Sequence, residues 1–130
     1  CIMANNSTLA GHVEINDYAI LGGFTGVHQF CRLGESSFSA ISTIIVKDIP
    51  PFVMVSGNTA RARGINKVGM KRRGFGQEDI EAVKNSYRIM YRRSLTISNA
   101  LEELEKEVGA SPVVAKIHSF VLESTRGIVR

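Results

Sequence analysis

The chain has 130 residues, of which 44% are hydrophobic, and carries a formal net charge of +4 at neutral pH. That length allows one domain or slightly more, and no segment approaches the eighteen apolar residues of a membrane-spanning helix. The sequence shows no basic-then-apolar leader, and it begins with Cys1 in the middle of a repeat. We therefore expect a piece of a longer cytoplasmic protein without a membrane span.

An apolar residue recurs every six positions through the first third of the chain, with Ser39 as the exception. The series is Met3, Leu9, Ile15, Leu21, Val27, Leu33 and Ile45. A small or β-branched residue follows each member after four positions, and a residue that tolerates a tight turn follows after one. Such a hexapeptide repeat is typical of a parallel β-helix, in which short strands wind around a triangular prism. An antiparallel sheet with accidental spacing explains the fixed period less well.

The repeat also predicts how the coils stack. Three hexads make one coil, so residues eighteen apart should lie about 4.8 Å above one another, at the usual strand spacing. Cys1 and Cys31 both fall in the small inward position of the repeat. We therefore expect two reduced packing residues, and neither a disulfide nor a metal pair.

Positive charge is concentrated in residues 61–73. This segment holds six basic residues and no acidic one, namely Arg61, Arg63, Lys67, Lys71, Arg72 and Arg73. A cluster of like charges is typical of a solvated, disordered or anion-facing segment. We expect residues 57–76 to form a basic connector between the last coils of the β-helix (1–56) and a C-terminal helical domain (77–130).

From Gln77 onward, apolar residues recur at helical spacing in three segments. Their expected buried positions are Ile80, Val83, Tyr87, Met90, Ile97, Leu101, Leu104, Val108, Val113, Ile117, Phe120 and Val121. Thr96 or Ser98 suits the N-cap of the second helix, and Gly109 suits its end. Ser111 before Pro112 suits the start of the third helix. The fold class is therefore a β-helix followed by a small bundle of three helices.

Polar side chains that could carry chemistry lie near the corners of the predicted prism. His12, His28 and Gln29 should emerge along one edge, on adjacent coils. Gly11 beside His12 offers an unshielded backbone N–H, which suits the stabilisation of an oxyanion. A structural or surface role for the two histidines stays open. A metal site is disfavoured because the histidines lack the spacing of metal ligands and no carboxylate or thiolate joins them.

Three segments carry a resemblance to a known family. Leu9–Val13 (LAGHV), Val27–Cys31 (VHQFC) and Lys71–Phe75 (KRRGF), in this order and spacing, closely resemble the UDP-N-acetylglucosamine 3-O-acyltransferases of lipid A biosynthesis. Asp48–Pro51 and Ser124–Gly127 also resemble that family. The likeness extends over nearly the whole chain.

The resemblance implies a left-handed parallel β-helix that assembles as a homotrimer, with active sites in clefts between subunits. It implies transfer of an R-3-hydroxyacyl chain from acyl carrier protein to the 3-hydroxyl of UDP-N-acetylglucosamine, the first step of lipid A biosynthesis. A histidine base would take the hydroxyl proton, and no cofactor or metal would be needed. Left-handedness follows from the resemblance alone, since general chirality rules favour the right hand.

The resemblance also implies roles for individual residues. The backbone N–H of Gly11 would hold the oxyanion, and His12 would orient the sugar or support the base. His28 and Gln29 would line the substrate cleft. The principal histidine base would belong to a His-x-x-His element in a coil before Cys1, so we expect these 130 residues alone to be inactive or nearly so.

Four further positions follow from the same resemblance. Asn66, Arg72 and Arg73 would contact the nucleotide and its phosphates, which guanidinium groups bind bidentately. Ile41 would lie beside the acyl-chain groove, where many relatives have glycine, and would shorten that groove by one or two methylenes. We therefore expect a preference for shorter hydroxyacyl chains.

Three alternatives remain open from the sequence. The chain could belong to the related acyltransferase that acts on the glucosamine nitrogen, although the KRRGF segment argues against it. It could be a non-catalytic trimerisation or binding module. Binding of nucleic acid by the basic segment is disfavoured, because residues 61–73 lack interleaved aromatic side chains.

Overall fold

The computed structural model describes all of residues 1–130. The amino-terminal part winds as a left-handed parallel β-helix of about three coils. Its sides are two-residue strands, in chain order β1 (Ile2–Met3), β2 (Thr8–Leu9), β3 (Glu14–Ile15), β4 (Ile20–Leu21), β5 (Gly26–Val27), β6 (Arg32–Leu33), β7 (Phe38–Ser39) and β8 (Ile44–Ile45). The hexapeptide period therefore gives one strand for each repeat.

Each of strands β1 to β5 pairs in parallel with the strand that comes three strands later in the chain. Strands β1, β4 and β7 lie side by side in the first sheet, β2, β5 and β8 in the second, and β3 and β6 in the third. Ile2 is opposite Ile20, and Ile20 is opposite Phe38. The predicted stacking of residues eighteen apart is confirmed.

The interior of the β-helix alternates large and small side chains. Leu21, Val27, Leu33 and Ile45 are buried at the large position. The small position is filled by the buried residues Ala19, Thr25, Cys31, Ser37 and Thr43. Ser39, the exception to the apolar series, is hydrogen bonded to the Thr25 hydroxyl at 3.0 Å. The polar interruption is therefore satisfied inside the core.

The turns differ from the prediction. The residue with left-handed backbone lies three positions after each apolar residue, and not one. These positions hold Asn6, His12, Tyr18, Phe24, Phe30, Ser36 and Ser42. At Gly34, which directly follows an apolar residue of the series, a small side chain is needed for another reason: a Cβ there would lie 2.4 Å from the Pro51 nitrogen of the next coil. Close approach of stacked coils, and not backbone conformation, selects glycine there.

The two cysteines differ in burial. Cys31 is fully buried, as expected, whereas Cys1 is exposed. The expectation that both pack inside the prism is confirmed for Cys31 and is wrong for Cys1 within these residues, where a coil lies on one side of Cys1 only.

Residues 57–76 are largely regular structure. Strand β9 (Val53–Ser56) pairs with β7, and β10 (Arg61–Ile65) pairs antiparallel with β9, which extends the first sheet to five strands. Helix α1 (Lys67–Arg72) follows, with Asn66 as its N-cap. Exposed Arg61 and Arg63 alternate with less exposed neighbours, as residues of a half-buried strand do.

The carboxyl-terminal part contains α2 (Gln77–Tyr91), α3 (Ile97–Val108) and α4 (Pro112–Glu123). Thr96 caps α3 by accepting a hydrogen bond from the Asn99 N–H, and Ser111 caps α4, whose first residue is Pro112. None of the helices combines the length and the apolar character that crossing a membrane requires.

The helices and the β-helix share their apolar interiors. Tyr87 of α2 and Val129 pack with the buried residues of the β-helix, and Ile128 packs with the helices. After the last helix, the carboxyl-terminal tail returns to the prism, where the backbone of Ile128 pairs with that of Asp48. The Asp48 carboxylate also accepts a hydrogen bond of 2.6 Å from the Ser124 hydroxyl. The tail therefore fastens the helices to the last coil.

Substitution of Gly34 tests the close approach of the coils. Gly34→Ala should lower the free energy of unfolding by about 1–3 kcal/mol, because the added methyl group meets the backbone of Pro51. Gly109→Ala is the matched control, since nothing lies within 4 Å of its Cβ position. Urea unfolding of the two variants measures the difference. Equal stabilities would contradict the packing argument.

Candidate active site

Four of the predicted site residues lie on one edge of the prism, between the second and third sheets. We call this group, Gly11, His12, His28 and Gln29, the histidine edge. The His12 ring stacks on Phe30 of the next coil, with centroids 4.9 Å apart and an interplanar angle of 2°. Stacking of residues eighteen apart therefore fixes the imidazole plane on an exposed turn. The Gly11 N–H donates to no backbone acceptor, although its carbonyl accepts a hydrogen bond from Phe30.

Arg126 adds a contact that the sequence did not predict. Its Nη2 lies 3.4 Å from His28 Nδ1, and Nδ1 also lies 3.3 Å from the Gln29 carbonyl oxygen. When Nδ1 accepts a hydrogen bond from the guanidinium, Nε2 carries the ring proton and can act as a donor. The segment Ser124–Gly127 marked a resemblance, but nothing local in it indicates a contact with a residue 98 positions earlier.

Three further predicted residues, Asn66, Arg72 and Arg73, line a cavity of about 460 Å³ beside the first sheet. We call it the arginine pocket, because Arg72 and Arg73 lie on its wall together with Asn66. Its floor is an apolar row on the outer face of the sheet, formed by Ile2, Ile20, Phe38 and Met54. The pocket thus combines an apolar floor with a cationic wall.

The three polar residues of the pocket differ in how far they are already engaged. Asn66 is buried, donates to the Ser36 carbonyl and accepts from the Gly69 N–H. The Arg73 guanidinium donates to the Ser36 hydroxyl at 2.8 Å and lies 3.7 Å above the Tyr18 ring. Arg72 is exposed and makes no ion pair with any carboxylate of the chain. Of the two arginines of the pocket, Arg72 is therefore the one whose guanidinium is free to bind a ligand.

Glu35 holds Arg73 in place. Its carboxylate lies 2.8 Å from the Arg73 guanidinium and 3.0 Å from Lys116 Nζ of α4. Burial raises the pKa of Glu35, but the hydrogen bonds from these two cations outweigh it and hold that pKa below its ordinary value. The ion pairs therefore also link the helices to the wall of the pocket.

The histidine edge and the arginine pocket are separate within one chain. His12 and His28 lie on the edge between the second and third sheets, whereas Arg72 and Arg73 line a cavity that includes neither histidine. Ile41 lies on another turn, 69% exposed, and its Cγ1 stands 3.8 Å from the Cβ position of Gly23. No group of three or more histidine, cysteine, aspartate or glutamate residues is placed to hold a metal ion.

The fold and these two groups of residues define a hexapeptide-repeat β-helix protein with a helical extension. A sequence model of the family described as UDP N-acetylglucosamine O-acyltransferase, domain 2, matches residues 48–129. The chain therefore belongs to the UDP-N-acetylglucosamine O-acyltransferase family.

Relatives with this name cover the whole chain. The acyl-[acyl-carrier-protein]–UDP-N-acetylglucosamine O-acyltransferases of Stutzerimonas stutzeri and Ectopseudomonas mendocina are 52% and 50% identical to it over 130 residues. Those residues are the whole of this chain and 50% of each relative. The chain thus spans about half the length of the curated relatives it matches.

Solved structures agree with this assignment. The UDP-N-acetylglucosamine acyltransferase of Francisella novicida superposes with a TM-score of 0.95 at 40% identity, over 98% of this chain and 47% of its own. The O-acyltransferase of Moraxella catarrhalis gives 0.95 at 42% identity, over 98% and 50%. The likeness includes the helices as well as the β-helix.

Glu35 should make stability depend on pH. Its pKa is lowered in the folded protein, so its contribution is present above the unfolded value of about 4.3 and disappears as the pH falls below it. Glu35→Gln should cost about 1–2 kcal/mol at pH 7, and this deficit should shrink towards pH 3. Glu102→Gln, which removes a carboxylate without an ion pair, is the control. A deficit that stays constant in urea unfolding from pH 3 to 7 would contradict the assignment.

Proposed function

We propose that this chain is part of a cytoplasmic enzyme that transfers an R-3-hydroxyacyl chain from acyl carrier protein to the 3-hydroxyl of UDP-N-acetylglucosamine. Membership of the acyltransferase family is the observation that carries the proposal. Two features of the chain support it. The histidine edge can serve acyl transfer, and Arg72 offers an unpaired guanidinium beside an apolar floor.

The proposed reaction is a direct displacement at the thioester. A histidine base removes the proton from the sugar hydroxyl, whose oxygen attacks the thioester carbon. The negative charge on the carbonyl oxygen is stabilised by the free N–H of Gly11. The carbon–sulfur bond then breaks, and the thiol leaves with the proton that the imidazolium returns. The principal base is proposed to lie outside residues 1–130, with His12 supporting it and His28 and Gln29 in contact with substrate.

A homotrimer would reconcile the two separate groups of residues. The histidine edge and the arginine pocket lie on different parts of the prism, so one ligand would not contact both within a chain. In a threefold assembly, one face of a prism is apposed to the next prism, and the cleft between them has walls from two subunits. We propose that the sugar nucleotide occupies such a cleft, with its phosphates at Arg72 and its sugar at the neighbouring histidine edge.

Arg72 tests the nucleotide part of this proposal. In the full-length protein, Arg72→Ala should raise KM for UDP-N-acetylglucosamine about tenfold to a hundredfold, because a charge-assisted hydrogen bond contributes about 1.5–3 kcal/mol. Lys67→Ala is the control, since Lys67 is an exposed cation of the same helix that does not line the pocket. Steady-state acyl transfer measures both. An unchanged KM in Arg72→Ala would contradict the assignment of Arg72, and absence of transfer in the unsubstituted protein would contradict the function.

Ile41 tests the acyl-chain part. The side chain is exposed on a turn next to the first sheet, where it would fill one or two methylenes of a neighbouring groove. Each methylene buried contributes about 0.8 kcal/mol, so Ile41→Gly should shift the preferred donor towards longer chains. Ile41→Val, which removes a single carbon, should shift it less. Competition between donors of different length measures the preference, and identical profiles would remove Ile41 from the groove.

A further inference from the structure

Helix α2 and strand β10 together present an exposed group of cations. Lys84 and Arg88 of α2 and Arg92, the C-cap of this helix, are spaced four residues apart, so they lie along one side of it. Arg61 and Arg63 are exposed residues of β10. Arg61 is the register partner of Ser56, and Arg63, at a bulge in the strand, donates a hydrogen bond of 2.8 Å to the Ser56 hydroxyl, so both lie beside Ser56. We call these five cations the basic surface.

Four of the five charges of the basic surface have no carboxylate partner within the chain. Arg61, Arg63, Arg88 and Arg92 make no ion pair, and Lys84 reaches its only carboxylate partner at 3.9 Å. Other cations are paired more closely, for example Arg73 at 2.8 Å. Like charges four residues apart on a helix repel each other. The helix dipole favours cations near the end of α2, but it does not act on Arg61 or Arg63.

Part of the basic surface surrounds a cavity. Lys84, Arg88 and Arg92 line a space of about 440 Å³ with Tyr87, Gly64 and Ile65, and no acidic side chain lines it. Burial raises the pKa of Tyr87, while Arg92 and Arg63 oppose this rise, so charges from both elements act on the same ring. The basic surface therefore offers an anionic partner a cavity lined by cations, with the arginines of β10 outside it.

Strand register connects this surface to the apolar row. Ile2, Ile20, Phe38 and Met54 are partners on successive strands, and Met54 is in turn opposite Gly64 of β10. The Cβ position of Gly64 has no atom within 4 Å, so no side chain packs directly over this residue. Four strand intervals cover about 19 Å. An apolar chain could thus lie along the outer face with its carrier at the basic surface.

We propose that the basic surface docks an acidic carrier protein, which presents its thioester-bound acyl chain to the apolar row. This inference rests on the proposed function, because the acyl donor is taken from the names of the relatives, which include acyl carrier protein. The unpaired cations provide complementarity to an acidic partner, and the register of the first sheet provides continuity with the arginine pocket. Long-range attraction of this kind speeds association and weakens as salt screens it.

Charge reversal separates docking from chemistry. In the full-length protein, Arg88→Glu with Arg92→Glu should raise KM at least tenfold for an acyl carrier protein thioester and flatten its salt dependence. The same acyl group on pantetheine, which lacks the protein, should keep its kcat/KM within twofold. Lys106→Glu on α3, a cation already paired with Glu103, is the control and should leave both donors unchanged.

A second variant guards against a local folding defect. Arg61→Glu with Arg63→Glu changes the facing strand, and it should give the same selective loss with an unchanged melting temperature. Equal losses with both donors, or no loss with either, would overturn the docking surface while the proposed function stands. Retention on DNA that these substitutions abolish, with an unchanged KM for the carrier thioester, would also overturn it.

Direct binding decides the matter if neither donor supports transfer, an outcome that would contradict the proposed function. Titration of the unsubstituted protein with holo acyl carrier protein should then show salt-sensitive binding that Arg88→Glu with Arg92→Glu abolishes. Absence of binding, or binding that survives the substitutions, would overturn the docking surface independently.

Discussion

The hydrogen-bonded register between coils is the constraint on which every other placement depends. As far as β8, each strand residue lies above the one eighteen positions earlier, so side chains on equivalent turns of neighbouring coils meet each other. His12 meets Phe30 in this way, and Ile20 meets Phe38. In the last coil the spacing falls to sixteen residues, since Phe38 pairs with Met54. Parallel pairing aligns the apolar row as far as Met54, and the antiparallel pairing of β9 with β10 then sets Met54 opposite Gly64. Binding features on this fold are therefore linear along its axis, and their spacing is set by the backbone.

A second constraint is whether a cation of the chain has a carboxylate partner. Cations that hold the helices against the prism are neutralised, as Arg73 and Lys116 are by Glu35. Arg72 and the four arginines of the basic surface make no ion pair. Because pairing reduces the electrostatic attraction available to a ligand, the unpaired arginines mark where the molecule can receive anionic partners. The two classes of cation have the same residue types, and only the structure distinguishes them.

Periodic features of the fold could be predicted from the sequence, whereas contacts between distant segments could not. The six-residue period determines the strands and the buried residues, and the caps Thr96 and Ser111 are local signals. Strand β10 was hidden because the density of charge in residues 61–73 obscured its alternation. Nothing local indicates that Arg126 approaches His28. The sequence indicated which residues could belong to a site. It did not show that they form two separate groups, because this depends on which sheets of the prism lie beside each residue.

The contacts of Asp48 have a consequence for how the molecule unfolds. This buried carboxylate accepts hydrogen bonds from the Arg32 N–H of the prism and from the Ser124 hydroxyl after the last helix. Tyr87 and Val129 carry apolar contact across the same junction. Separation of the helices would therefore remove the Ser124 hydrogen bond from this carboxylate, leave it the Arg32 N–H alone, and uncover the last coil at once. The two parts are thermodynamically coupled, and cooperativity extends across the boundary that the change in sequence period suggests.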